Sequence, residues 1–279
     1  MNEKKLVTFG CSFTDFSWPT WADWMGTAYP EYYNFGSGGS GNKFIFHKFM
    51  EALNNGLITK DTDVVIQWTS CLRYDLIPRG QKKYTGLGSV IHSGNYPIEF
   101  TSKYFNPYQQ IIELVNYVKA IRLILDIKRI NHTMFFMLNP WDGTLLGEPW
   151  NSGDHPFSKH ELKKINSAQE QLKKALDGVF IDQSLSMYQV EHQNDSYFCW
   201  KGEDIPLDVE GHPAPITHYN YFVHKILPFF ADLQPHVPNN TNKLREWEVW
   251  AKLRLGENDK LTRKPVFPSD RSRNKNMIL

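Results

Sequence analysis

The sequence predicts an α/β protein in which helices cover both faces of a parallel β-sheet. Short runs of β-branched and aromatic residues alternate with segments of helical periodicity, the order expected when strands and helices alternate along the chain. The length of 279 residues suits one large domain, or one domain with an appendage. We therefore expect a three-layer α/β/α architecture around a five-stranded parallel sheet.

Five runs have the composition of strands: Lys5–Phe9, Tyr32–Phe35, Asp63–Trp68, Thr133–Leu138 and Val179–Asp182. The third is almost entirely apolar, as expected for a strand buried on both faces. Four segments have helical patterns: Lys43–Leu53, Pro107–Ile130, Ser158–Leu176 and Pro215–Ala231. A proline marks the start of the second helix, and a capping box of Ser158 and Glu161 marks the start of the third.

Two connections, 70–106 and 139–157, are long for a compact α/β domain. Loops after the carboxyl ends of parallel strands are where such sheets build their sites. Trp141 in the second connection is therefore a candidate for lining a substrate cleft. The same stretch contains the sequence Gly-Asp-His-Pro at 153–156, which we interpret as a loop and helix-capping element because it precedes the third predicted helix.

The character of the chain changes after Pro238. An amphipathic helix is predicted over Asn242–Leu255, and a tail rich in proline and basic residues follows it. We therefore divide the chain into a domain at 1–235 and a C-terminal helix and tail at 236–279. That appendage docks onto a partner, such as a second copy of the chain, or onto the domain surface, or it is a frayed terminus.

Composition excludes several classes of protein. A net charge of +1 marks neither a nucleic-acid nor a membrane partner, and no apolar run is long enough for a signal peptide or a membrane span. The three widely spaced cysteines form no disulfide framework, which indicates synthesis in the reducing cytoplasm. No His or Cys pair has ligand spacing with a confirming second pair, so we expect no metal or other cofactor.

The first strand runs into Gly-Cys-Ser-Phe-Thr at 10–14. A serine on the tight turn after a strand is lifted above the carboxyl edge of the sheet, where a substrate reaches it. Alone this signal is weak, because many such serines cap helices. Ser12 is the candidate nucleophile.

A glycine-rich loop follows the second strand, with the sequence NFGSGGSGN at 34–42. Such glycines allow a backbone N–H to approach a reacting oxygen, as an oxyanion hole requires, and Asn42 in the same loop is a candidate for substrate binding. Phosphate binding is the rival interpretation, but the Walker pattern fails because the residue after Gly41 is asparagine rather than lysine.

A third motif, Asp-Val-Glu-Gly-His-Pro at 208–213, lies ahead of the last predicted helix, and His218 follows it. An imidazole held by a carboxylate can take the proton of a serine. His212 is the candidate base. Asp208 and Glu210 are both candidates for orienting it, with Asp208 slightly favoured.

Together the three motifs resemble the sequence blocks of SGNH (GDSL-like) hydrolases. Residues 10–14 resemble the GDS-x-T nucleophile block, 34–39 the N-x-G-x-x-G block and 208–213 the final D-x-x-H-P block. The resemblance covers roughly residues 5–232. It implies a flavodoxin-like fold and a serine hydrolase that uses Ser12, His212 and the Gly39 N–H. The GCSFT variant also resembles SGNH-like proteins of bacteriophages and bacteria, which implies a virion or surface-polysaccharide role.

Two departures from that family pattern bear on activity. The family's third block places an asparagine of the oxyanion hole where this chain has Ser70, so Thr69, Ser70 or Arg73 is the candidate substitute. Loss of one such donor costs on the order of 10²–10³ in rate. The family's carboxylate also lies three residues before the histidine, where this chain has Val209.

Two functional hypotheses follow. The first is a serine esterase, with O-acetyl groups of a carbohydrate as the expected substrate and lipid or thioester substrates as the open alternatives. The second is an SGNH-fold module that has lost catalysis and serves as a structural or carbohydrate-binding subunit, for example of a phage virion, assembled through its C-terminal tail. The missing asparagine and the displaced carboxylate favour the second hypothesis, and the Ser12–His212 pair favours the first.

Overall fold

A computed structural model describes residues 4–16, 18–81, 84–90, 93–137, 157–175, 212–213, 215–230, 232–233 and 246–247. Within these residues the protein is an α/β structure built on a parallel sheet. The strands are β1 (Lys5–Gly10), β2 (Glu31–Gly36), β3 (Thr62–Trp68) and β4 (His132–Phe136).

The sheet has the strand order β2-β1-β3-β4, and every pairing is parallel. Its register aligns Gly10 at the end of β1 with Gly36 at the end of β2, so the first two sequence motifs meet at one edge. The structure thus confirms four of the five predicted strands. The fifth, Val179–Asp182, lies outside the described residues.

Helices lie between and after the strands. They are α1 (Trp21–Gly26), α2 (Asn42–Asn54), α3 (Ile98–Lys103), α4 (Pro107–Lys128), α5 (Lys159–Ala175) and α6 (Pro215–Tyr221). The capping box that starts α5 is confirmed, because the Ser158 N–H donates to Glu161 Oε2 at 2.7 Å and the Glu161 N–H donates to Ser158 Oγ at 3.3 Å.

The last predicted helix differs from its expected form. After α6 the chain continues as a π-helical turn, Phe222–Ile226, and then a 3₁₀ turn, Leu227–Phe229. Pro228 lies in that final turn, and proline lacks the N–H that a regular helix needs. The uniform helix expected over Pro215–Ala231 was therefore wrong beyond Tyr221.

Alternating side chains along the strands supply two hydrophobic clusters. Val7 and Phe9 belong to one cluster with residues of α2, α4 and α5. Leu6 and Val65 belong to the other with residues of α1 and α6. Because successive strand side chains point to opposite faces, this partition is the one a sheet buried on both faces requires.

The connection predicted over 70–106 contains structure of its own. Isolated antiparallel bridges pair Arg73 with Ser89 and Leu76 with Thr85, and α3 follows them. The Gly88 N–H then donates to the Gly39 carbonyl at 3.0 Å. This connection therefore folds back onto the glycine-rich loop at the carboxyl edge of the sheet and brings Arg73 with it.

Two residues of the C-terminal segment, Glu246 and Trp247, are among those that the structure describes. Trp247 is 1% exposed and packs on Trp24 of α1, with 4.1 Å between ring centroids. The division at residue 235 stays a prediction. No helix among the described residues is long and apolar enough to cross a membrane.

Candidate active site

The Ser12 turn begins where β1 ends. The N–H groups of Thr14 and Asp15 both donate to the Cys11 carbonyl, at 2.9 and 3.1 Å, and close the chain around Ser12, which is 5% exposed. A Cβ at position 10 would lie 1.9 Å from Thr14 Oγ1. Close packing inside the turn thus requires glycine at position 10.

Thr14 fixes this turn to the sheet. Its hydroxyl donates to Gln67 Oε1 at 2.9 Å, and its carbonyl accepts from Asn34 Nδ2 at 2.9 Å and from Thr20 Oγ1 at 2.7 Å. Sequence reasoning missed these supporting contacts. Gln67 offered a signal, because an amide within an otherwise apolar, doubly buried strand needs a polar partner.

The glycine-rich loop lies beside the Ser12 turn, and the Ser37 N–H donates to the Gly10 carbonyl at 3.2 Å. Gly39 has a φ of 71°, and a Cβ there would lie 2.8 Å from the Gly86 carbonyl oxygen. Both facts require glycine. No acceptor for the Gly39 N–H is found in the described part of the chain, so this donor is available to a ligand.

Asn42 and the end of β3 are joined by a pair of hydrogen bonds. Asn42 Nδ2 donates to the Thr69 carbonyl at 3.1 Å, and the Thr69 N–H donates to Asn42 Oδ1 at 2.9 Å. The Asn42 amide therefore positions the loop after β3, a role that sequence reasoning did not foresee. Its predicted contact with substrate stays a prediction.

The three candidates for the missing oxyanion donor differ in what they already bind. The Thr69 hydroxyl donates to Met137 Sδ at 3.8 Å. Ser70 Oγ accepts from the Leu72 N–H at 3.0 Å, and within the described structure its own proton is not donated to any group. Ser70 occupies the position that the family resemblance gives to asparagine, and its hydroxyl is a free donor there.

Arg73 spans the site. Its Nη1 donates to the Ser40 carbonyl at 3.3 Å, and its Nη2 lies 3.9 Å from Met137 Sδ. Its Nε is buried and has no hydrogen-bond acceptor within the described ranges. The guanidinium thus joins the glycine-rich loop to the end of β4 and retains unused donor capacity.

His212 lies against the Ser12 turn. Its ring stacks on Phe16 with 3.9 Å between centroids and 11° between planes, and it contacts Phe13, the neighbour of Ser12, at 5.4 Å. Trp18 Nε1 donates to the carbonyl of Pro213 at 2.8 Å and holds the segment in place. Burial, followed by the charge of Arg73, lowers the pKa of His212 to about 4.

The Ser12–His212 pair is brought together only in part. Although His212 touches the residue next to Ser12, no hydrogen bond joins Ser12 Oγ to the imidazole in the structure as described. The candidate carboxylates Asp208 and Glu210 lie outside the described residues, and so does Trp141. Their predicted roles stay predictions.

His218 is a second histidine near the site. It belongs to α6, is 1% exposed and packs edge-on against Phe13 at 6.2 Å. Burial and the neighbouring His212 hold its pKa well below the usual value. It is therefore neutral at physiological pH. The described residues contain no group of three His, Cys, Asp or Glu side chains that could hold a metal ion.

Comparison with known proteins adds one solved structure. No family model matches the sequence, and no curated protein is significantly similar to it. A crystal structure of a member of the lipolytic protein G-D-S-L family from Veillonella parvula aligns with 82% of this chain and 98% of its own. The identity is 12% and the TM-score 0.41, so the functional argument depends on the site of this chain.

Proposed function

We propose that this protein is a serine esterase of the SGNH type, with a three-layer α/β/α domain. The observation that carries the proposal is the placement of Ser12 and His212 at one carboxyl edge of the sheet. Phe13, adjacent to Ser12 in the chain, lies 5.4 Å from the His212 ring. A nucleophile, an adjacent imidazole and free N–H and O–H donors are the parts that acyl transfer needs.

In the proposed reaction Ser12 Oγ attacks the ester carbonyl carbon while His212 takes its proton. The tetrahedral intermediate then collapses, the C–O bond to the alcohol breaks, and His212 returns the proton to the departing oxygen. Water, deprotonated by His212, hydrolyses the acyl-Ser12 ester and releases the acid. Apo geometry is often looser than that of the substrate complex, so the absent Ser12–His212 hydrogen bond is compatible with this scheme.

The proposed oxyanion hole consists of the N–H groups of Ser12 and Gly39 and the hydroxyl of Ser70. Support for Gly39 comes from its free N–H and from the close fit that excludes any side chain there. Ser70 qualifies because its oxygen already accepts from Leu72, which fixes the hydroxyl and leaves its proton to donate. Preorganised donors of this kind supply much of the rate enhancement in acyl transfer.

Asp208 or Glu210 is proposed to orient His212. For the substrate we propose an O-acetyl group on a carbohydrate, supported by the aromatic content of 14% and by Trp141 in a loop expected to border the cleft.

The alternative candidate is a catalytically impaired module that binds carbohydrate or assembles into a larger particle such as a virion. Two observations favour it: the unformed Ser12–His212 hydrogen bond, and a His212 pKa of about 4, which makes the imidazole a weak base. The buried contact of Trp247 with Trp24 does not favour assembly through the tail, because it fits a tail that packs on its own domain rather than on a partner.

Hydrolysis assays separate the two candidates. The wild type, Ser12→Ala and His212→Ala are compared on p-nitrophenyl acetate and on an acetylated polysaccharide. Turnover by the wild type that both substitutions abolish supports the esterase. Absence of turnover by the folded wild type contradicts it and leaves the binding module.

A further inference from the structure

Arg73 carries a charge that no described residue neutralises by an ion pair. No carboxylate of a described residue lies within ion-pair distance of its guanidinium. It contacts instead a backbone carbonyl, at Ser40, and a thioether, at Met137. A thioether sulfur is a weak acceptor, and a buried N–H without an acceptor destabilises the fold.

Asp75, two residues from Arg73 in the chain, forms no ion pair with it, because its carboxylate is bound elsewhere. Asp75 is 5% exposed, and its two oxygens accept from the Gly41 N–H at 2.7 Å and the Phe44 N–H at 2.8 Å, at the start of α2. These contacts fix both oxygens of the carboxylate on the helix N-terminus, a stabilising arrangement. Asp75 therefore interacts with the positive charge of Arg73 through space and not by an ion pair.

The guanidinium faces the proposed catalytic groups. Its bond to Ser40 places it one residue from Gly39, and its charge contributes to the lowered pKa of His212. The Nε and Nη2 atoms share one edge of the planar fork, and that edge holds no oxygen acceptor among the described residues. Such an edge presents two parallel N–H donors, which match the two oxygens of a carboxylate.

We propose that the Nε–Nη2 edge of Arg73 is a carboxylate-binding subsite, so that the natural substrate is an anionic ester, such as an acetylated acidic sugar. This inference rests on the proposed esterase function and specifies its substrate class. Because Nε is buried, the carboxylate has to displace the thioether of Met137, a flexible side chain whose sulfur also contacts Cys11 and Thr69. Two charge-assisted hydrogen bonds then satisfy the edge.

The test compares matched esters that differ in charge. The 3- and 4-acetoxybenzoates carry a carboxylate at two distances from the acetyl group, and the corresponding acetoxybenzamides are neutral. We expect the wild type to prefer at least one benzoate over its benzamide by about 10- to 100-fold in kcat/KM, the range of one charge-assisted contact. Arg73→Gln reduces that ratio to about one, and Arg73→Lys, which keeps the charge without the fork, retains part of it.

Arg79→Gln is the matched control, because Arg79 is an exposed arginine of the same connection. We expect the Arg79→Gln variant to keep the wild-type ratio of kcat/KM for the benzoate over the benzamide. A wild type that cleaves both classes of ester equally, or an Arg73→Gln variant that keeps the preference, overturns the inference while leaving the esterase intact.

If no ester is cleaved, the proposed function fails, and calorimetric titration with 4-hydroxybenzoate and 3-hydroxybenzoate decides the inference separately. Binding by the wild type that is lost in Arg73→Gln and kept in Arg79→Gln supports the subsite. Equal affinity in wild type and Arg73→Gln, or no binding by either, overturns it.

Discussion

The two ends of the sheet use buried polar groups in opposite ways. At the amino end of β3, Asp63 is 2% exposed and accepts hydrogen bonds from Tyr29 Oη at 2.6 Å and Asn131 Nδ2 at 3.0 Å, with Lys4 Nζ at 3.4 Å. Burial and the adjacent carboxylate raise the pKa of Tyr29, so its hydroxyl remains a donor. Tyr29, Asn131 and Lys4 each donate to the Asp63 carboxylate in this network.

At the carboxyl end the network is incomplete. Arg73 Nε and His218 Nδ1 are buried without acceptors among the described residues, and the Ser70 hydroxyl and Gly39 N–H retain unused donors. Unsatisfied groups are costly in a folded protein and concentrate where ligands complete them. The contrast assigns stability to the amino end and function to the carboxyl end.

Substitution of His212 is expected to give the largest effect. His212→Gln removes the proposed base and lowers kcat on p-nitrophenyl acetate by about 10³-fold or more, since the members of such a site act as a unit. Circular dichroism and thermal unfolding check that the variant is folded, because the substitution also removes the ring that stacks on Phe16. A variant with near wild-type kcat would place the chemistry elsewhere.

The matched substitution at the amino end is Asp63→Ala. It leaves the Tyr29 hydroxyl and the Asn131 amide without their acceptor and should lower the free energy of unfolding by about 2–4 kcal/mol. Urea denaturation measures this change. The specific activity of the folded fraction should match the wild type, and a large loss of kcat at unchanged stability would erase the proposed division between the two ends.

Thr14→Val probes the link between the sheet and the Ser12 turn. It removes the hydrogen bond to Gln67 at a site where valine fits, so we expect a loss of about 1–2 kcal/mol in stability and about 10-fold in kcat. Thr101→Val in α3, far from the turn in sequence, is the control for the same chemical change. Equal effects of the two substitutions on kcat would show that Thr14 does not position Ser12.

The smallest expected effect is on the pH dependence of kcat/KM. Because His212 acts as a base only when neutral and its pKa is about 4, wild-type kcat/KM should fall only as pH drops toward 4. Burial is the main cause of that pKa, so Phe16→Ala, which admits water to the ring, should move the acid limb upward by roughly one pH unit. Phe229→Ala, at an exposed phenylalanine, should leave it in place. An acid limb near 6.5 in the wild type would show that water reaches the ring, or that the proposed carboxylate, Asp208 or Glu210, outweighs the effect of burial on the pKa of His212.

Pattern-based reasoning predicted the elements whose physics is local. The strand composition of Lys5–Phe9 and the capping box of Ser158 are local features of the sequence, and both elements are confirmed. Helix α1 was missed because six aromatic-rich residues carry no clear periodicity. The sequence does contain one sign of this helix, Thr20 followed three residues later by Asp23. In the structure the Thr20 N–H donates to Asp23 Oδ2 at 3.0 Å, a capping arrangement with aspartate in the usual place of glutamate.

The site was predictable only where motifs fall at strand ends. Ser12 and Gly39 follow from the ends of β1 and β2, because parallel strands bring their carboxyl ends together. The partners of Arg73 depend on how 70–106 folds back over the glycine-rich loop. Those of Gln67 and Asn42 depend on contacts between segments far apart in the chain. Such long-range contacts leave no periodic trace in the sequence.

The most direct test of the account is covalent labelling of the purified protein with a fluorophosphonate, followed by peptide mass spectrometry. The account predicts one modified serine, Ser12, with labelling abolished in Ser12→Ala and strongly slowed in His212→Gln. No labelling of the folded wild type, or labelling that persists in Ser12→Ala, would contradict the assignment of Ser12 as the nucleophile.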